Sequence, residues 1–225
     1  MGSEQKEMLL PTQAITRVVV SRKEGRLERM RYYEGDEEVA TEVYGRDGTL
    51  IHRSGLIPDG EVREFYGSGA LKKTVEFRDC EPHGEGIEYY PGGDLREENT
   101  FRQGRLHGPS RTYRRDGTLW MEADYRDGKL YGVFTSYHEN GTVEMRAEYR
   151  FGRLQGRFSR YEAHGGLLEE GAYHQGKKQG EHRYYHEDGR PWRIEKYQRG
   201  RLLSSHEVPE DTVIVSINNP REVKS

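Results

Sequence analysis

The side chains able to do chemistry are nine histidines, one cysteine, several paired glutamates and a set of evenly spaced arginines. A metal centre needs ligands that converge, usually four of them, with a second shell to orient them. His83 and His107 each precede a glycine 24 residues apart, a place that an internal repeat explains. His174, His182 and His186 fall on a strand end and the strand after it, and Cys80 has no second cysteine to join it. Neighbouring carboxylates such as Glu97–Glu98 or Glu169–Glu170 point to opposite faces of a strand, so they cannot share a proton-transfer task. Gly84-Glu85-Gly86 lacks the lysine and hydroxyl of a phosphate loop, and nucleophile-elbow and HExxH patterns are absent. The expectation is a protein that is not an enzyme and holds no metal or cofactor.

The arginines carry more. Arg78, Arg102, Arg126 and Arg150 stand 24 apart, followed in step by His174 and Gln198. A second row, Arg105, Lys129, Arg153, Lys177 and Arg201, keeps the same period. Such rows run along one edge of a repeat array, with neighbours about 10 Å apart. They read either as a solvated row that discourages aggregation or as a stripe for an acidic protein surface or anionic phospholipid. A net charge of −3 with 39 acids disfavours nucleic acid. Trp120, Phe134, Phe158, Tyr184 and Trp192, with Tyr66 and Tyr90, are large residues on what the pattern makes a polar face. Aromatics beside arginine are the usual composition of an interface hot spot, so these five and the four arginines are the candidate partner-binding residues. Packing by the terminal arms is the alternative for the aromatics.

Positioning all of these is a repeat. One glycine recurs at Gly69, Gly93, Gly117, Gly141, Gly165 and Gly189. An aromatic sits four residues before it (Phe65 to Tyr185), an apolar residue or Pro191 two after, and a second aromatic eight after (Phe77 to Tyr197). A second glycine recurs from Gly104 to Gly200, with Cys80 in its place in the first unit, and a third closes most units, from Gly84 to Gly180. Weaker units around Gly25 and Gly48 bring the number to about eight, over residues 16–204. Each reads as a β-hairpin turned at Asp-Gly or Asn-Gly. A three-residue loop ending in a left-handed Gly141 pairs Tyr137 with Val143, and sorts Val133, Thr135, Met145, Ala147 and Tyr149 onto one apolar face. His138, Thr142, Ser136, Glu144 and Glu148 take the other.

The expected fold is all-β: an elongated, single-layer antiparallel array of about sixteen strands, on the order of 70–80 Å wide. Residues 1–15 form an arm and residues 205–225 a capping strand or tail. The segment 14–22 is expected to supply the first strand at one sheet edge. The segment 211–219 supplies a last strand or a partner-binding one. A third of the chain is charged, while 16 tyrosines supply apolar area, so the core is thin. The start lacks a signal-peptide pattern and no apolar run is long enough to span a membrane, which points to the cytoplasm.

The unit "YHENGTVEMRAEYRFGRLQG" resembles the bacterial variant of the MORN repeat, as found in YwqK-type proteins of the toxin–antitoxin class. That resemblance covers residues 16–204. It implies a non-enzymatic protein-binding scaffold, antitoxin-like, that masks a partner protein. A scaffold on anionic phospholipid and a homo-oligomeric structural protein are the alternatives.

Overall fold

The computed structural model describes residues 15–209, with side chains described from residue 24. Among these residues there is no helix, and seventeen strands make one open sheet. From β5 (Gly60–Phe65) to β17 (Arg201–Glu207) the sheet is an antiparallel meander, each strand paired with the next.

Two turn types alternate along it. The first is the expected three-residue loop. In the β11 (Lys129–Tyr137) to β12 (Val143–Arg150) hairpin, Gly141 N–H donates to the His138 carbonyl (3.0 Å) and His138 N–H to Thr142 (2.9 Å). Gly141 is left-handed at φ 82°, and Tyr137 pairs with Val143. The second is a two-residue turn with both residues at positive φ, as at Gln103 (50°) and Gly104 (72°). Cys80 holds the second place at φ 61°, where later units have glycine. The N–H of each such turn glycine also donates into the preceding unit: Gly128 to Leu106, Gly152 to Leu130, Gly176 to Leu154.

The side-chain sorting differs from expectation. Behind the three-residue loop the ladder skips one residue, so that Ser136 pairs with Met145 and Glu144 is bulged out. Cross-strand partners share a face. Phe134, Ser136, Met145, Ala147 and Tyr149 therefore line one face, here called the aromatic face. Val133, Thr135 and Tyr137 join Arg146 and Glu148 on the other, the charged face. The two aromatics of each unit thus stand on opposite faces. A one-residue bulge reverses parity, and the regular register assumed from the sequence did not contain it. The third glycine does not close a unit either. Gly108, Gly132 and Gly156 lie inside β9 (Arg105–Tyr113), β11 and β13 (Arg153–Tyr161) at φ 105°, 104° and 115°.

The N-terminal end departs further from a simple array. β1 (Ile15–Lys23) is not an edge. It pairs antiparallel with β2 (Arg26–Glu34) and parallel with β5, Ile15 opposite Val62 and Arg17 opposite Glu64. β2 continues to β3 (Glu37–Tyr44) and β4 (Leu50–Gly55), which places β4 at the edge. Gly25 belongs to a two-residue turn between Lys23 and Arg26, so it matches the second glycine of the later units and not the first. The chain returns from β4 to β5 through Leu56–Asp59, and Ile57 drops into the core. That core gathers Met30, Tyr32, Ala40, Ile57, Val62, Val75 and Phe77. Within it Tyr32 of β2 meets Phe77 edge to face at 6.1 Å between centroids, and Ile57 of the returning loop belongs to the same cluster. The segment 211–219 lies outside the described residues.

Candidate functional site

Three features could meet a partner: the aromatic face, a polar network at its C-terminal end, and the margin that carries the two-residue turns.

On the aromatic face the second-aromatic row meets the row of Phe134 and Phe158. Phe134 and Tyr149 pack edge to face at 6.0 Å between centroids, Phe158 and Tyr173 at 5.4 Å. Trp120 and Trp192 occupy the bulge position next to Leu119 and Pro191, as Glu144 does next to Val143. Trp120 is 47% exposed. Trp192 stacks near Tyr184 (6.1 Å) and lies under the Arg193 guanidinium at 4.2 Å. The structure therefore brings Trp120, Phe134, Phe158, Tyr184 and Trp192 to one face. It is the aromatic face, not the polar one on which they were expected. Phe134 and Phe158 are half-buried partners of its tyrosines.

Tyr66 and Tyr90 do something else. Tyr66 Oη donates to the Tyr89 carbonyl (2.6 Å) and Tyr90 Oη to that of Tyr113 (2.9 Å), each clamping its own unit to the next. Arg114 makes the equivalent reach to the Tyr137 and His138 carbonyls.

In the last two units the aromatic face turns polar. Glu169, Lys178, His182 and Glu195 stand where the preceding unit has Met145, Leu154, Phe158 and Gly171. Lys178 Nζ donates to Glu169 (3.1 Å) and to Tyr184 Oη (2.7 Å). Tyr184 and Tyr197 both donate to Glu195 Oε2, at 2.8 and 2.7 Å. His182 is fully buried, with Nε2 donating to the Ala172 carbonyl (2.9 Å) and Nδ1 3.6 Å from Glu169. Room for its ring comes from Gly171, where an added Cβ would lie 2.4 Å from it.

His182 and Lys178 hold the Glu169 carboxyl below its usual range against the cost of burial. Burial disfavours the Lys178 cation, yet Tyr184 and Glu169 outweigh it and raise its pKa. Sequence reading missed this network. Its signal was the replacement of Met145, Leu154 and Phe158 by Glu169, Lys178 and His182 at the matching repeat positions.

The basic rows lie where the sequence placed them, along one margin. Each two-residue turn sets them face to face: Arg102 opposite Arg105, Arg126 opposite Lys129, Arg150 opposite Arg153. From Arg78 to Arg201 these turns present ten exposed Arg and Lys residues, with Asp79, Glu81 and Asp127 as the only acids among them. Asp127 engages Arg102 at 3.0 Å. Arg126 lies over Tyr131 (4.9 Å) and Arg150 over Phe151 (5.6 Å). The opposite margin, over residues 66–190, has six acids and three arginines in its turns. The two margins thus carry opposite net charge. Among the described residues no group of three or more His, Cys, Asp or Glu could hold a metal ion.

No curated protein matches the sequence. Among solved structures, a chain of the crystal structure of the GtfA/B complex bound to UDP and GlcNAc matches at 12% identity and a TM-score of 0.16. The match covers 71% of this chain and 24% of that one, so this chain spans about a quarter of its length. A TM-score that low carries no argument about fold or function. Three stretches, residues 58–79, 82–103 and 130–150, match the family described as the MORN repeat variant. They share the period and turn chemistry of the units between and beyond them. Those three stretches are what is similar to the MORN repeat variant.

Proposed function

We propose that this chain is a non-enzymatic scaffold that binds a protein partner through its basic margin, masking an acidic surface on it as an antitoxin-like protein would. The observation that carries the reading is the charge sorting between margins. Cross-strand like charges cost stability when placed directly opposite, yet Arg102/Arg105, Arg126/Lys129 and Arg150/Arg153 repeat that arrangement three times running. An acidic partner would offset this repulsion and be steered to the margin by it. Trp120 and Trp192 on the adjoining face supply aromatic anchors of the kind that dominate binding energy.

The test is capture of a partner by tagged protein at low and high salt, using wild type and the triple variant R102E/R126E/R150E. One stoichiometric partner, held by wild type and lost from the triple variant, is the expected result. Equal capture by both removes the margin from the reading.

A second reading rests on the same margin: anionic phospholipid. It requires flotation with acidic but not neutral liposomes, falling steeply as salt screens the contact.

A further inference from the structure

A sheet that does not close has two edges, and edge strands are ordinarily protected by charge, proline or a covering segment. β4 has none of these among the described residues. It pairs with β3 along one side, from Leu50 opposite Tyr44 to Gly55 opposite Ala40, while β1 takes the place beside β5. Leu50 (45%), Ile51 (67%) and Leu56 (76%) are exposed at this edge. Its one guanidinium is turned inward, Arg53 donating to Glu42 at 2.9 and 2.7 Å. The other edge, β17, exposes Leu202 and Leu203 and leads into Val208 and Pro209.

Just beyond lies Asp211-Thr-Val-Ile-Val-Ser-Ile-Asn-Asn219, rich in β-branched residues and free of proline, lysine and arginine. It is the composition of a strand that adds to an exposed edge. It cannot reach its own β4. Sixteen strand spacings separate β17 from β4, on the order of 75 Å along the sheet. The eleven residues from Pro209 to Asn219 extend at most about 40 Å. Residues 1–14 precede β1, but "EQKEMLLPTQ" has Pro11, three charges and a single β-branched residue, Thr12.

We infer that the free edge of β4 takes residues 212–217 of a second copy as an added strand, joining copies head to tail. The contact is heterologous: one surface on each copy meets a different surface on the next. The inference is independent of the basic margin and its partner.

Light scattering on the full chain across a concentration series tests it, with two variants. Ile51→Lys puts a cation on the β4 edge; Val215→Pro removes an N–H from the added strand and leaves β1 to β17 untouched. The full chain is expected to gain mass with concentration, and each variant to stay monomeric. An equal mixture of the two is expected to give a 1:1 dimer that grows no further, because it retains one intact pair of surfaces.

A full chain that is monomeric throughout would mean that its own residues cover these edges, and would overturn the inference. Self-association of Val215→Pro would do the same, pointing to β4 against β4, as would a mixture that stays monomeric. Should Ile51→Lys unfold by circular dichroism, the decisive reading is the peptide of residues 210–219 added in excess to the full chain. It must dissociate the oligomers.

Discussion

At the residue scale, the polar groups inside the sheet answer to pH. Glu42 is 3% exposed and accepts from Tyr32 (2.7 Å), Tyr44 (2.5 Å) and both Nε and Nη2 of Arg53. Burial alone would raise its pKa, but these donors outweigh burial and lower it. A lowered carboxyl stabilises the fold above its ordinary pKa of 4.5 and ceases to as pH falls through the folded value. Glu195, held by Tyr197, Tyr184 and Arg193, behaves alike. Urea midpoints should therefore decline below about pH 4.5, and less steeply in Glu42→Gln. That variant is expected to cost about 2 kcal/mol at pH 7, since it leaves Arg53 beside a neutral amide. An unchanged midpoint would show that the Glu42 cluster is not stabilising.

At the other end of the scale, Tyr137 and Tyr185 are pushed up to about 12, by burial first and then by donating to Glu122 and Glu170. Their contribution is complete below pH 10 and is lost as pH rises towards 12. Tyrosinate absorbance should show a fraction of tyrosines ionising late, and Glu122→Gln should bring one of them forward.

At the element scale, glycines test the turns. Gly104→Ala places a Cβ at φ 72° in the second position of a two-residue turn, which costs about 1–2 kcal/mol. Gly55→Ala is expected to cost more, because its Cβ would stand 2.0 Å from the Val39 carbonyl oxygen in addition to the φ of 76°. Denaturant midpoints of the two variants, compared side by side, check the order.

The turns were legible in the sequence because Asp-Gly and Asn-Gly state their geometry, and the three-residue loop followed from pairing Tyr137 with Val143. The bulge behind that loop was not legible. Its residue is Lys72, Arg96, Trp120, Glu144, Leu168 or Trp192 in successive units, so no side-chain type marks it. Missing it put Phe134 and Phe158 on the wrong face. The basic margin was legible, since a constant residue type at a constant period survives any error of parity. The Glu169–Lys178–His182–Glu195 network was hidden by the same regularity: it appears only as departures from a pattern.

At the scale of the whole molecule, the period itself is the design. Units contact their neighbours through the same ladder register, and Tyr66, Tyr90, Arg114 and His138 add a clamp in four successive units, so stability should be close to a sum over units and their interfaces. Deleting residues 117–140 joins Asp116 to Gly141 and removes one whole unit. The product is expected to keep its β-sheet circular dichroism and to melt cooperatively at a slightly lower temperature. Deleting twelve residues fewer or more would break the register and should not fold. Equal behaviour of in-period and out-of-period deletions would show that the array is not modular.

The parallel ladder between β1 and β5 imposes an order of events. Every other strand pairs with one that is adjacent in sequence, whereas Ile15 meets Val62 across some 47 residues of chain. During synthesis β1 emerges first and has β2 within reach, but its second side waits until β5 exists. Local hairpins can form and dissolve quickly, so closing this long loop is the step expected to limit the rate of folding. Until it closes, the strand made earliest stays exposed along one side, at the moment when the chain is most vulnerable to the wrong neighbour.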